Sequence, residues 1–104
     1  MAKEMIEREI IGIRDQIVKL YRPEQIYLFG SWAKGSARQN SDIDLCVIVD
    51  TTDKRGLVRE ILLKVEYERD LDIVVYTPRE WEKYRQDSTT FAFTIQSTGV
   101  KISG

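Results

Sequence analysis

The segment from Phe29 to Val49, FGSWAKGSARQNSDIDLCVIV, holds the residue types of a phosphoryl-transfer site. Gly30-Ser31 follows an apolar run, ten residues intervene, and Asp42 and Asp44 then head a second apolar run. A Gly-Ser turn that opens a short helix offers free backbone N–H groups and a hydroxyl to phosphate oxygens. Two aspartates at i and i+2 on a strand point to one face, where their charges repel unless a cation sits between them. The cation that suits such oxygen ligands and also meets nucleotide phosphates is Mg²⁺. Singly, each part is weak, since most Gly-Ser pairs are plain turns and an acidic pair heading a strand is commonly just solvated. Their joint spacing carries the reading.

The rest of the composition narrows the chemistry. The chain has no histidine and one cysteine. That excludes Ser-His-Asp and Cys-His catalysis, histidine-ligated zinc and any internal disulfide. An enzyme made of these residues works through carboxylates, lysine, arginine, hydroxyls or a metal. Cys46 sits in an apolar strand pattern, reads as a small buried hydrophobe, and fits a reducing cytoplasm. With 16 basic and 17 acidic residues the net charge is −1, so the basic excess of a general nucleic-acid binder is missing and direct nucleic-acid binding is not expected. No apolar run approaches the roughly 20 residues of a bilayer span, and the charged start MAKEMIEREI is unlike a signal peptide, so no membrane role is expected. One domain over residues 1–104 is expected from the length.

The elements that must position the site follow from periodicity. From Lys3 to Tyr21, Ile6, Ile10, Ile13, Ile17 and Leu20 recur at helical spacing, with Pro23 beyond the end. Gln25 to Phe29 reads as a short strand, Ser31 to Lys34 as one helical turn, and Gly35 to Asn40 as a polar loop. Asp42 to Asp50 reads as a second strand, apolar on both faces and therefore central. Thr52-Asp53 can cap a helix bearing Leu57, Val58, Ile61, Leu62 and Val65 on one face. Leu71 to Tyr76 is a third strand. Thr77-Pro78-Arg79-Glu80 is a capping box opening a short helix through Trp81 and Tyr84. A last helix is predicted from about Ser88 to Thr98, with Phe91 and Ile95 on one face and Gly99 as its stop. The order is α-β-(α)-β-α-β-α-α, a small α/β sheet.

That order assembles a site. A helical crossover makes the second and third strands parallel neighbours. Asp42 and Asp44 open one and Asp72 lies near the start of the other, so the carboxylates share one end of the sheet. If the first strand runs antiparallel to the second, Gly30-Ser31 arrives at that same end. Asp72 alone would read as an edge-strand charge that discourages aggregation. Lys34 and Arg38 are either triphosphate contacts or solvated loop charges. Trp32 and Trp81 read as packing or interface residues, and the i, i+4 pairs Glu60/Lys64 and Lys64/Glu68 as helix-surface charge.

From the helix before Gly30 to Gly99, the chain resembles the DNA polymerase β-like nucleotidyltransferase superfamily, whose GS-x10-DxD signature is met by Gly30-Ser31 and Asp42-Ile43-Asp44. Within it, the resemblance is to the minimal nucleotidyltransferases (MNT). It implies a small mixed β-sheet flanked by helices, with Gly30 and Ser31 holding the triphosphate of ATP. Asp42, Asp44 and Asp72 match the metal-binding and catalytic carboxylates. The implied chemistry is attack of a hydroxyl on the α-phosphate with loss of pyrophosphate, aided by two Mg²⁺ ions, Asp72 assisting deprotonation of the hydroxyl. The usual arginine after the serine turn is Lys34 here, a mild departure. Relatives acting on antibiotics, tRNA or DNA carry further domains, and the small size here follows the minimal pattern.

Minimal nucleotidyltransferases typically pair with a helical HEPN protein, the RNase toxin of a toxin–antitoxin system. The resemblance therefore implies a HEPN-type toxin partner, an antitoxin role, and transfer of AMP to a tyrosine of the toxin. A non-catalytic antitoxin that only occupies the toxin surface fits the same resemblance, as does a small-molecule nucleotidyltransferase completed by another subunit. Intact Gly30, Ser31, Asp42, Asp44 and Asp72 favour catalysis, because a pure binder has no need to hold clustered like charges.

Overall fold

The computed structural model describes residues 2–104. Ile6, Ile10, Ile13 and Ile17 form one buried stripe on a 20-residue helix, α1 (Ala2–Tyr21). The stripe continues to Tyr21 rather than to Leu20, which is half exposed. A step of four from Ile17 stays on the buried face, and a step of three leaves it.

Strands β1 (Gln25–Phe29), β2 (Ile43–Ile48), β3 (Leu71–Tyr76) and β4 (Val100–Ser103) make one mixed sheet in the order β3-β2-β1-β4. β2 and β3 are parallel, joined through helix α3 (Lys54–Lys64), and β1 is antiparallel to β2 and to β4. The expected directions hold, and β2 is central. Several boundaries differ from the sequence reading, and β2 ends at Ile48 rather than at Asp50. β2 begins at Ile43, leaving Asp42 as the residue before the strand. The chain also does not end its structure at Gly99, because β4 follows and pairs with β1.

Local signals account for the remaining elements. Helix α2 (Ser31–Lys34) is a single turn between Gly30 and Gly35. Asp53 caps α3 by accepting the Gly56 N–H at 3.0 Å. The capping box is present in α4 (Pro78–Tyr84): the Thr77 hydroxyl accepts the Glu80 N–H at 3.2 Å, and the Glu80 carboxylate accepts the Thr77 N–H at 2.9 Å. Helix α5 (Phe91–Thr98) starts three residues later than expected because the Thr90 side chain caps it, accepting the Phe93 N–H. Its buried residues are Ala92 and Ile95, while Phe91 is half exposed. Gly99 has extended backbone rather than a left-handed cap. A side chain there would meet the Leu28 carbonyl oxygen of β1 at 2.8 Å, so glycine is what lets α5 run straight into β4.

The alternation of β2 divides two cores. Ile43, Leu45, Val47 and Val49 pack with α1 and with Ile61 and Val65 of the α3 segment. Cys46 and Ile48 face the other way, onto Tyr27, Trp81, Ala92 and Ile95. Trp81 lies between the rings of Tyr27 and Tyr76, at 5.1 and 5.6 Å between centroids, which makes it a packing residue. Asp44 falls in the Cys46 register and so belongs to the face covered by the short helices α4 and α5.

Candidate active site

Register brings the separate motifs together. Asp44 is the cross-strand partner of Phe29 on one side and of Asp72 on the other. The residue after Phe29 is Gly30, so the β1 turn, the Asp42–Asp44 pair and Asp72 meet at one end of the sheet. The β1–β2 pairing is the antiparallel one that this convergence requires.

Gly30 is shaped by that crowding. Its backbone sits at φ 74° and ψ −153°, a region that only glycine occupies without strain. A Cβ there would overlap the Asp44 carboxylate, with Cγ at 3.1 Å. The sequence suggests close approach to phosphate, and the structure adds close approach to Asp44. Ser31 follows as the first residue of α2, whose opening N–H groups have no carbonyl four residues back inside the helix. Lys34 and Arg38 are exposed, and neither is in an ion pair among the described residues.

The carboxylates perturb one another. Burial, then hydrogen bonding to the Asp72 carboxyl and the charges of Asp72 and Asp42, push the Asp44 carboxyl up to about 6. Asp42 is also raised, first by desolvation, then by the charges of Asp72 and Asp70, and by the hydrogen bond that its protonated carboxyl donates to Asp72. Asp70 is a fourth acidic neighbour that the motif does not include. Its backbone also joins the site, since its carbonyl accepts the Ile43 N–H at 2.9 Å.

These oxygens suit a hard divalent cation. Asp42, Asp44 and Asp72 are anionic donors held against mutual repulsion at an open end of the sheet, and a cation such as Mg²⁺ would relieve that repulsion. Among the described residues, no group of three or more acidic or cysteine side chains is set closely enough to hold a metal ion by itself. Cys46 takes no part: it is buried, and desolvation pushes its thiol up to about 12.

A support network missed by sequence reading fixes the loop ahead of Asp42. The Trp32 indole N–H donates to the Ser41 carbonyl at 3.1 Å, and the Arg69 side chain donates to the Gln39 carbonyl at 3.0 Å. Arg69 also lies over the Trp32 ring, 5.9 Å from its centroid, and pairs with Glu9 of α1. Glu9 accepts the backbone N–H groups of Glu68 and Arg69, both at 2.9 Å. No spacing in the sequence links Glu9, Trp32 and Arg69, because they come from three elements.

The chain is similar to known proteins in sequence and in fold. The family described as polymerase beta nucleotidyltransferase matches residues 13–103. A stretch of 53 residues, 49% of this chain, is 45% identical to the protein adenylyltransferase MntA of Shewanella oneidensis and covers 36% of that protein. The chain thus matches little more than a third of that relative's length. A crystal structure of a toxin–antitoxin with AMP-PNP is similar over 94% of this chain and 73% of that chain, with a TM-score of 0.58 and 29% identity. Among the described residues, no helix is long and apolar enough to cross a membrane.

Proposed function

The chain belongs to the polymerase β nucleotidyltransferase family, and from that premise we propose that it transfers AMP from ATP to a tyrosine hydroxyl of a HEPN-type RNase toxin, acting as the antitoxin. The observation that carries the reading is the register of Asp44, which pairs with the residue before Gly30 and with Asp72. Motifs 42 residues apart in number thereby share one site (72 − 30). The similarity to an adenylyltransferase and to a toxin–antitoxin structure supports the choice of nucleotide and partner.

In this reading, Gly30 and the first N–H groups of α2 receive the triphosphate, with the Ser31 hydroxyl beside them. Asp42, Asp44 and Asp72 would hold Mg²⁺, two ions in the family pattern, which would supply charge stabilisation to the transferring phosphoryl group. The tyrosine oxygen forms a bond to the α-phosphorus as the bond to the β-phosphate oxygen breaks. Pyrophosphate leaves with that electron pair, and the tyrosine proton passes to Asp72 and then to water. The raised Asp44 and Asp42 carboxyls are the expected state of a site shaped for a cation. A nucleotide substrate and a single buried cysteine fit a cytoplasmic setting.

The test is incubation with Mg²⁺, labelled ATP and the co-expressed partner, followed by mass spectrometry of the partner. An AMP adduct on tyrosine and reduced RNase activity are expected, both absent with Asp72→Asn. Full neutralisation by Asp72→Asn without any adduct would instead establish the antitoxin as a binding-only subunit.

A further inference from the structure

The sheet order ends at β3, whose outer edge pairs with no strand among the described residues. Its ladder to β2 is bracketed by the Ile43 N–H on the Asp70 carbonyl at 2.9 Å and the Val49 N–H on the Tyr76 carbonyl at 3.0 Å. With that phase, the even-numbered residues of β3 bond to β2, and Leu71, Ile73 and Val75 turn their N–H and C=O groups outward. Such an edge is a template for another strand.

Beside it lies a groove of about 390 Å³ lined by Lys54, Arg55, Val58, Arg59 and Val75. Lys54 is engaged by Glu80 at 2.7 Å. Arg55 and Arg59 are in no ion pair among the described residues, although like charges at i and i+4 oppose helix formation. One turn further along α3, Leu63 is 85% exposed. Arg55, Arg59 and Leu63 therefore make a stripe with two unanswered cations and one uncovered apolar side chain.

We propose that the β3 edge docks an extended acidic segment of a partner protein, which adds as a fifth strand and sets two carboxylates against Arg55 and Arg59. Spacing supports this occupant. Alternate residues of a strand lie about 6.6 Å apart, and residues four apart on a helix rise about 6 Å. Acidic residues at i and i+2 of the segment thus match the two arginines, and an apolar residue at i+4 reaches Leu63. A strand also supplies both donors and acceptors to the outward groups of Ile73 and Val75, whereas a nucleic-acid backbone offers chiefly acceptors. Two-fold pairing with a second copy would bring the arginines of one chain toward those of the other. The proposal does not rest on the nucleotidyl-transfer reaction.

The experiment is an NMR titration of the ¹⁵N-labelled full chain with a short capped peptide, Glu-Val-Glu-Val-Val, which places Glu at i and i+2 and Val at i+4. The amides of Leu71, Ile73 and Val75 should shift and their hydrogen exchange should slow. Binding should weaken about tenfold or more in the double variant Arg55→Glu, Arg59→Glu, as expected when charge complementarity is reversed. Both positions are exposed, and Arg55→Gln, Arg59→Gln serves if the reversal disturbs folding. Absence of these shifts at millimolar peptide overturns the proposal, as does equal binding of a Lys-Val peptide. Tighter binding of single-stranded oligothymidylate at the same amides would assign the surface to nucleic acid instead. Concentration-dependent dimerisation through those amides would assign it to a second copy.

Discussion

Asp44 stands directly opposite Asp72 across the parallel β2–β3 pair, with Asp42 two residues before it. Neither neighbour is a cation, so the pairing is one that the fold sustains against electrostatics. The cross-strand geometry that assembles the site is the same geometry that destabilises its ionised form.

The first prediction concerns pH. Burial and the Asp72 carboxyl lift Asp44 to about 6, above its ordinary 3.8. The folded protein therefore keeps this proton over a range where the unfolded chain has lost it. Its stabilising contribution is complete below the unfolded value and disappears as pH rises through about 6. Thermal melts without divalent cation should show this loss between those limits, and Asp44→Asn should flatten that part of the curve. Superimposable pH profiles for the two proteins would contradict it.

A cation should reverse the same strain. At pH 7.5, Mg²⁺ is expected to raise the melting temperature, since a ligand at 100 times its dissociation constant adds about 2.7 kcal/mol. EDTA should remove the gain, and Asp42→Asn or Asp44→Asn should reduce it. Both variants should be as stable as the parent protein, or more so, in EDTA. Calorimetry with ATP, with and without Mg²⁺, checks whether nucleotide binding follows the same dependence.

Gly30→Ala is expected to damage both stability and nucleotide binding. The left-handed backbone alone should cost about 1–3 kcal/mol, and the added carbon overlaps the Asp44 carboxylate. Pairing the substitution with Asp44→Ala should recover part of the stability and none of the transfer activity. Denaturant melts and a transfer assay read the two separately. An alanine variant as stable as the parent would refute the close contact.

Much of this was legible because the informative signals are local. The capping box at Thr77–Glu80, the strand LDIVVY and the turn at Gly30 are each specified within a few residues, and the helical crossover then makes β2 and β3 parallel neighbours. What escaped was decided by packing. β4 carries an alternating Val-Lys-Ile-Ser pattern, but four residues give too little period to recognise without β1 beside them. Leu20 and Phe91 fit helical stripes and are nonetheless half exposed, because the adjacent positions Tyr21 and Ala92 face the cores. Asp70 enters the site only through the register of β3, and Glu9 only through its fold-back contact with Arg69.

That contact yields the last prediction. Burial pushes the Glu9 carboxyl up, but the N–H groups of Arg69 and Glu68 and the Arg69 guanidinium outweigh it and hold it below its ordinary value. The sign is opposite to that of Asp44: Glu9 stabilises the fold above the unfolded carboxyl value, and the contribution fades as pH falls through the lowered one. Glu9→Ala leaves two backbone donors and a guanidinium without their acceptor and should cost about 2 kcal/mol at neutral pH. The effect should reach the site, because the same Arg69 holds the Gln39 carbonyl and covers Trp32. Faster amide exchange over residues 35–42 and weaker ATP binding are expected, with the β2-bonded amides of Asp72, Val74 and Tyr76 remaining protected. Loss of stability without faster exchange in that loop would reduce Glu9 to a structural anchor of α1 and separate it from the site.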